Sequence, residues 1–333
     1  MLDNVINTEF YKDKNIQITG GTGTIGNIIT KYLLEYTEFK KLVIFSRDEF
    51  KQYNMKQKFK DYTKYDRLRF CIGDIRDIDR LKFALEHIDI VFHAASLKQV
   101  DSIEYNPFEA VKTNIMGTQN VIDACIYNNV KLLVGISTDK AVSPVNLYGG
   151  TKLCLEKLIV LSNYYNGGRM KTCILRYGNV VGSRGSVIPL FLKQENFFTV
   201  TSDKMTRFSI TEKEACNFIL NCASICDGGE IFVPKLKKYN ILQLCKLINP
   251  NNNIKIIGIR QGEKLHEEMI CESESLNCWE NNNIFIIKNQ DNPSETLINT
   301  LDLKKKCDII SYNSNNAESI TDEGLTEQIN TYR

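Results

Sequence analysis

The chain has 333 residues, more than the roughly 100–200 of one ordinary domain, and its 43% hydrophobic and 25% charged content excludes a dominantly disordered state. With 42 Lys and Arg against 40 Asp and Glu, the net charge of +2 gives no field to draw nucleic acid or anionic lipid, so a bound anion must be held locally. The 11 cysteines form no Cys-x-x-Cys pair and have no histidine at zinc-ligand spacing; they read as small buried hydrophobes in a reducing compartment, with no metal expected. Met1 to Phe10 does not resemble a signal peptide, and no run approaches the ~18–20 apolar residues that cross a bilayer, so a cytoplasmic protein with no membrane and no nucleic-acid partner is expected.

Short apolar runs alternate with amphipathic stretches through the first half, the pattern of parallel strands joined by crossover helices. Strands are expected at 15–19, 41–45, 68–72, 89–93, 131–137 and 172–176, and helices at 25–35, 50–60, 107–128 and 148–163. The fold class is therefore α/β, a Rossmann-type doubly wound parallel sheet whose ligands collect beyond the carboxyl ends of the strands. After Tyr177 the alternation stops. Residues 1–177 read as a dinucleotide-binding domain and 178–290 as a smaller C-terminal α/β substrate lobe, with a strand able to return to the sheet. In this lobe a helix is expected at 212–226, strands at 230–233 and 254–257, and Asn-rich turns at 249–253 and 281–283. Residues 291–333 read as a polar tail, mobile around 311–319.

The run Thr19-Gly20-Gly21-Thr22-Gly23-Thr24-Ile25-Gly26 sits between the first strand and the first helix. Its glycines let the backbone turn tightly and approach a pyrophosphate at the helix N-terminus, which points to a dinucleotide. At the end of the next strand, Ser46 and Arg47 offer a hydroxyl and a guanidinium, with Lys51 one turn further, a set suited to a 2′-phosphate. NADP is thus favoured over NAD. Asp48 argues the other way unless it serves as a helix cap. Asp74 and Ile75 after the third strand suit the adenine edge and face, and Ala94 and Ala95 after the fourth let backbone lie against the nicotinamide half; caps and core packing are the alternatives.

The fifth strand ends in Ser137-Thr138-Asp139-Lys140, and Tyr148 and Lys152 follow at i and i+4 on a helix face. A lysine ammonium beside a phenol favours the phenolate, so Tyr148 is expected to take a proton from a substrate alcohol. Together with the glycine turn, the pair points to carbonyl/alcohol redox chemistry.

These residues resemble an extended short-chain dehydrogenase/reductase acting on nucleotide sugars. More narrowly, residues 46–49, 93–98, 137–141, 146–149, 176–186 and 258–267 are similar to the inverting UDP-N-acetylglucosamine 4,6-dehydratases, a likeness running from about Lys14 to about Met269. Some relatives carry an N-terminal membrane region, and this chain resembles the soluble branch.

The resemblance implies that Tyr148 deprotonates the 4-hydroxyl while hydride leaves C4, after which water is eliminated across C5 and C6. Retaining dehydratases place Asp-Glu where this chain has Asp139-Lys140. Lys140 is accordingly the expected C5 base and Asp139 the acid for the departing 6-hydroxyl, with either Tyr148 or Lys140 reprotonating C5. As a base Lys140 must be neutral, and Lys152 and Lys98 are the neighbours expected to lower its pKa. Lys98 would reach both cofactor and sugar, or lie exposed, and Ser137, Tyr148 and Lys152 would contact the cofactor. Asn114 would bend its helix around a water or pack between elements. For the UDP-sugar, Asn179, Arg184, Ser186, Arg207 and Arg260 are the expected phosphate ligands and Glu263 a ribose acceptor, with His266 structural. Homo-oligomers are implied through the helices 107–128 and 148–163. A 4-epimerase, which needs no elimination pair, is the alternative enzyme, and a non-catalytic NADP-sensing protein ranks below both.

Overall fold

The computed structural model describes residues 6–183, 186–194, 196–288, 291–305 and 311–332. Six strands lie where the apolar runs put them: β1 (Asn15–Thr19), β2 (Lys41–Ser46), β3 (Leu68–Ile72), β4 (Ile90–His93), β5 (Leu132–Ile136) and β6 (Lys171–Leu175). All pair in parallel, in the order β3-β2-β1-β4-β5-β6. Consecutive residues Leu42, Val43, Ile44 and Phe45 are all buried, because strand side chains alternate faces and both faces of this sheet are covered. Chain order reverses at the β1/β4 pair, which opens the ligand crevice beyond Thr19 and His93.

The strand Glu230–Pro234 returns from the C-terminal lobe and pairs in parallel with β6. Beyond it Ile284–Ile287, Cys278–Glu280 and Lys304–Lys305 add antiparallel pairs, giving a ten-stranded sheet. Short side chains set the helix starts. Asp48 caps Glu49–Phe59 by accepting from Lys51 N, and Asn146 caps Leu147–Tyr165, the helix of Tyr148 and Lys152, by accepting from Gly149 N. Thr211 and Glu214 cap Glu212–Ser224 reciprocally.

Two expectations are corrected. The single helix at 107–128 is instead Pro107–Ala110, a π-helical turn Val111–Met116 and Gly117–Tyr127. Within that turn the buried Asn114 accepts from Leu97 N at 2.8 Å and donates to Leu97 O at 2.9 Å and Thr151 Oγ1 at 3.0 Å, so its side chain packs between elements. The segment expected to be a mobile tail is packed. Tyr312–Asn313 pairs antiparallel with Glu268–Ile270, and Ser314 Oγ, fully buried, lies 2.7 Å from Thr206 Oγ1. The helix Asp322–Asn330 inserts Leu325 and Ile329 into a second core with Val181, Phe191, Phe198 and Leu244. Two apolar residues one helical turn apart, Leu325 and Ile329, thus outweigh the polar composition around them.

Leu325→Ala is therefore expected to destabilise the protein by about 2–4 kcal/mol, seen as a lower urea midpoint. A loosely attached tail would leave the midpoint where it is.

Candidate active site

A cleft of about 780 Å³ runs along the carboxyl ends of the strands and into the C-terminal lobe. That volume lies within the ordinary range for small-molecule sites. At its floor Gly20 turns with φ of +67°, and a Cβ there would stand 2.7 Å from Ala95 Cα, so only glycine lets the first turn meet the end of β4. A Cβ on Gly26 would stand 2.3 Å from Gly21 O, so this third glycine seats the helix on the strand. The helix Thr24–Tyr36 begins at Gly23 with no side-chain cap, leaving first-turn N–H groups open beside Thr22, Thr24 and Ile25 in the cleft wall.

Ser46, Arg47, Lys51, Asp74 and Ile75 line the same end. Ser46 Oγ accepts from Gln52 Nε2 at 3.1 Å. Arg47 lies 3.5 Å from Asp74, and Lys51 lies 3.0 Å from Asp48, so Asp48 serves as both helix cap and ion-pair partner. Arg76 also holds Asp74, at 2.7 Å.

Past the end of β5, Thr138 caps the short turn Asp139–Ala141 and donates to Asp139 Oδ1 at 2.8 Å. Asp139 lies fully buried directly behind the cleft wall, and Lys140 lines the cleft. The Lys140 ammonium contacts Asp139 Oδ1 at 3.0 Å, Asn179 Oδ1 at 3.2 Å and Glu267 Oε1 at 3.3 Å. Burial pushes the Asp139 carboxyl upward, only partly countered by the Lys140 charge.

For Lys140, burial works against the charged form, yet the carboxylates of Asp139 and Glu267 outweigh it and hold the amine above its ordinary range. The expected neutral amine beside Lys152 and Lys98 is thus corrected. Lys140 is an ammonium between two carboxylates.

Tyr148 also departs from expectation, because burial pushes its phenol up to about 12 and the cation that opposes this is Lys140 rather than Lys152. Lys152 donates to Ile136 O at 2.5 Å, and its burial brings the amine down to about 8 against the pull of Glu156. It is therefore a readily deprotonated amine.

Lys98 and Ser137 beyond the strand ends, and Asn179, Ser186, Arg207, Arg260 and Glu263 from the lobe, all reach the cleft, while Arg184 falls outside the described residues. Asn179 turns its amide oxygen to Lys140. Arg207 donates to Thr206 O at 2.7 Å, Leu265 O at 3.1 Å and Lys264 O at 3.2 Å, so much of its guanidinium is used in anchoring the segment that carries Glu267. Arg260 and Glu263 close one turn, with Arg260 N donating to Glu263 Oε2 at 3.3 Å. Among the described residues, no group of three or more His, Cys, Asp or Glu is placed to hold a metal, and no helix is long and apolar enough to cross a membrane.

Glu267 is the residue that sequence reasoning missed. It sits inside a family-like block, but its meeting with Lys140 is a long-range contact for which no local pattern exists. Glu156 and Arg176 were missed too. Arg176, with no exposed side-chain surface, donates to Glu156 at 2.6 Å and Glu274 at 2.8 Å.

The pattern of the polysaccharide biosynthesis protein family matches residues 16–289. The chain is 45% identical over 332 residues, 96% of its length and 98% of the other, to a protein of Campylobacter jejuni subsp. jejuni named UDP-N-acetylglucosamine 4,6-dehydratase (inverting). It is 40% identical over 275 residues, 79% of this chain and 80% of the other, to a Rickettsia rickettsii protein named UDP-glucose 4-epimerase. Among solved structures, Pen from Bacillus thuringiensis superposes with a TM-score of 0.87 at 40% identity, covering 97% of this chain and 99% of that one. The chain thus belongs to the polysaccharide biosynthesis protein family, on the extended short-chain dehydrogenase/reductase fold.

Proposed function

We infer that the protein is a UDP-N-acetylglucosamine 4,6-dehydratase that inverts C5 and yields a UDP-4-keto-6-deoxy-L-hexosamine for glycan biosynthesis. The observation that carries this reading is the Asp139–Lys140 pair at the end of β5, one carboxyl buried and one amine in the cleft that Tyr148 also lines. The near full-length likeness to the Campylobacter jejuni protein named for that reaction supports it.

In this reading the cofactor is NADP. The uncapped helix start at Gly23 would receive the pyrophosphate, Asp74 and Ile75 would hold the adenine, and Ala94 and Ala95 would hold the nicotinamide half. Ser46, Arg47 and Lys51 take the 2′-phosphate. A bound nicotinamide would supply the hydride acceptor for C4 and the hydride donor for C6. Tyr148 takes the proton of the 4-hydroxyl. The resulting ketone acidifies the C5 hydrogen, which Lys140 removes, while Asp139 gives its proton to the departing 6-hydroxyl and one water leaves. A proton delivered to C5 from the opposite face completes the inversion. Lys98, Asn179, Ser186, Arg207, Arg260 and Glu263 bind the UDP-sugar.

The likeness to the Rickettsia rickettsii protein favours 4-epimerisation as the second reading, which needs Tyr148 and Lys152 but not the elimination pair. The protein is a cytoplasmic homo-oligomer, packed through the exposed Phe108, Tyr127, Leu161 and Tyr165 of the helices that flank the site.

Incubated with UDP-N-acetylglucosamine in deuterated water, the protein is expected to release one water and place deuterium at C5. A galacto-configured product without deuterium would establish the epimerase instead. Lys140→Ala should slow dehydration at least about 100-fold, and undiminished turnover removes Lys140 from the reaction. Arg47→Ala should weaken NADP binding at least about tenfold in calorimetry and leave NAD binding nearly unchanged. Light scattering should report a mass at least twice that of one 38.2 kDa chain.

A further inference from the structure

We propose that Glu267 is a positioning residue for the elimination: from the C-terminal lobe it holds the Lys140 amine at the cleft wall and sets the pH at which that amine becomes free to accept the C5 proton. This rests on the reading of Lys140 as the C5 base.

The three donors of the ammonium meet three acceptors: Asp139 Oδ1 at 3.0 Å, Asn179 Oδ1 at 3.2 Å and Glu267 Oε1 at 3.3 Å. An amine so placed has no lone pair to offer and must first give up a proton. Its neighbour Asp139 is the acceptor, since burial already favours its neutral form. Passing one proton from Lys140 Nζ to Asp139 turns the ion pair into a neutral amine beside a neutral carboxylic acid, the base and the acid that elimination requires, with no change in net charge. The Glu267 carboxylate stabilises the ammonium and also raises the Asp139 carboxyl, so its charge sets where both members of the pair hold their protons.

Glu267 is itself fixed. It is buried, its backbone N–H donates to Ser314 Oγ at 2.9 Å, and its Oε1 lies 3.5 Å from Arg207 Nε. The Lys140 and Arg207 charges keep it ionised against the cost of burial. Its second oxygen, like Oδ2 of Asp139, is buried without a hydrogen-bond partner among the described residues. The charged and titratable groups facing Lys140 are Asp139 on its own turn, Tyr148 on the helix Leu147–Tyr165, Arg207 on the strand Thr206–Ser209, Tyr239 on the strand Lys237–Asn240, and Lys264 and Glu267 on the lobe segment. Glu267 is the member whose charge can be removed without touching the acid, the phenol or the lysine.

The sign follows directly. Activity falls below the pKa at which the pair takes up a second proton and rises with pH through it, because a protonated Asp139 leaves the Lys140 ammonium no acceptor. Removing a nearby negative charge lowers that pKa, so the acid limb of kcat/KM moves to lower pH. For Glu267→Gln the expected displacement is about one to two pH units. The pH at which acetic anhydride acetylates Lys140, read by peptide mass spectrometry, should move down with it. Glu267→Asp keeps the charge but withdraws it by one methylene, and its displacement should fall between those of wild type and Glu267→Gln. If Glu267→Gln does not fold, the Asp variant decides. A limb and an acetylation midpoint that stay at the wild-type pH overturn the proposal, even where turnover falls. Lys140→Met is run alongside: dehydration retained in that variant overturns the assignment of Lys140 as base, whereas dehydration lost there with an unmoved Glu267→Gln limb overturns only the role of Glu267.

Discussion

One buried guanidinium ties the molecule together. Arg176, immediately after β6, has no exposed side-chain surface and gives two bonds to Glu156, two to Glu274 and one to Met269 O. Glu156 stands one helical turn beyond Lys152, and Ser137 Oγ at the end of β5 donates to it at 2.6 Å. Glu274 and Met269 belong to the lobe segment that follows Glu267. A single side chain therefore fixes the strand ends, the helix of Tyr148 and Lys152, and the lobe in one frame. Removing one partner of such a buried cluster costs about 3–5 kcal/mol, because an uncompensated charge is left behind. The distance between Lys140 and Glu267, which come from opposite walls of the cleft, depends on that frame.

The chain as a whole is nearly neutral, and the site draws its electrostatics from local pairings. The Lys140 and Lys152 amines occupy the same cleft in opposite conditions. Two carboxylates hold Lys140 charged, whereas Lys152 is buried with Ile136 O as a hydrogen-bond acceptor and sits near about 8. Tyr148, pushed up to about 12 by burial, keeps its proton. Two lysines and a tyrosine that composition treats alike are thus assigned different protonation behaviour by their depth and their nearest oxygen atoms.

The sheet was largely legible in the sequence, since strands covered on both faces must be apolar at consecutive positions, as in Leu42 to Phe45. The glycine turn and the Tyr148/Lys152 spacing were legible because both are local. What escaped were contacts between residues remote in sequence. Lys140 is held charged by Asp139, next to it in the chain, and by Glu267, 127 positions away (267 − 140), and the second of these has no local pattern in the sequence. The C-terminal segment misled for a related reason: its polar residues dominate by number, while Ile320, Leu325, Ile329 and Tyr332 meet the second core. The π-helical turn at Val111–Met116 follows the periodicity of an ordinary helix, and only the bonds of Asn114 to another loop mark it.

That last feature binds two parts of the cleft that are distant along the chain. Asn114 grips both backbone groups of Leu97, beside Lys98, and the hydroxyl of Thr151, beside Lys152. The loop bearing Lys98 cannot swing outward without severing these links and tugging on the helix that carries the tyrosine and lysine. One amide thereby pins the backbone beside Lys98 and the helix of Tyr148 and Lys152 to each other, so these two stretches of the cleft lining share a common anchor.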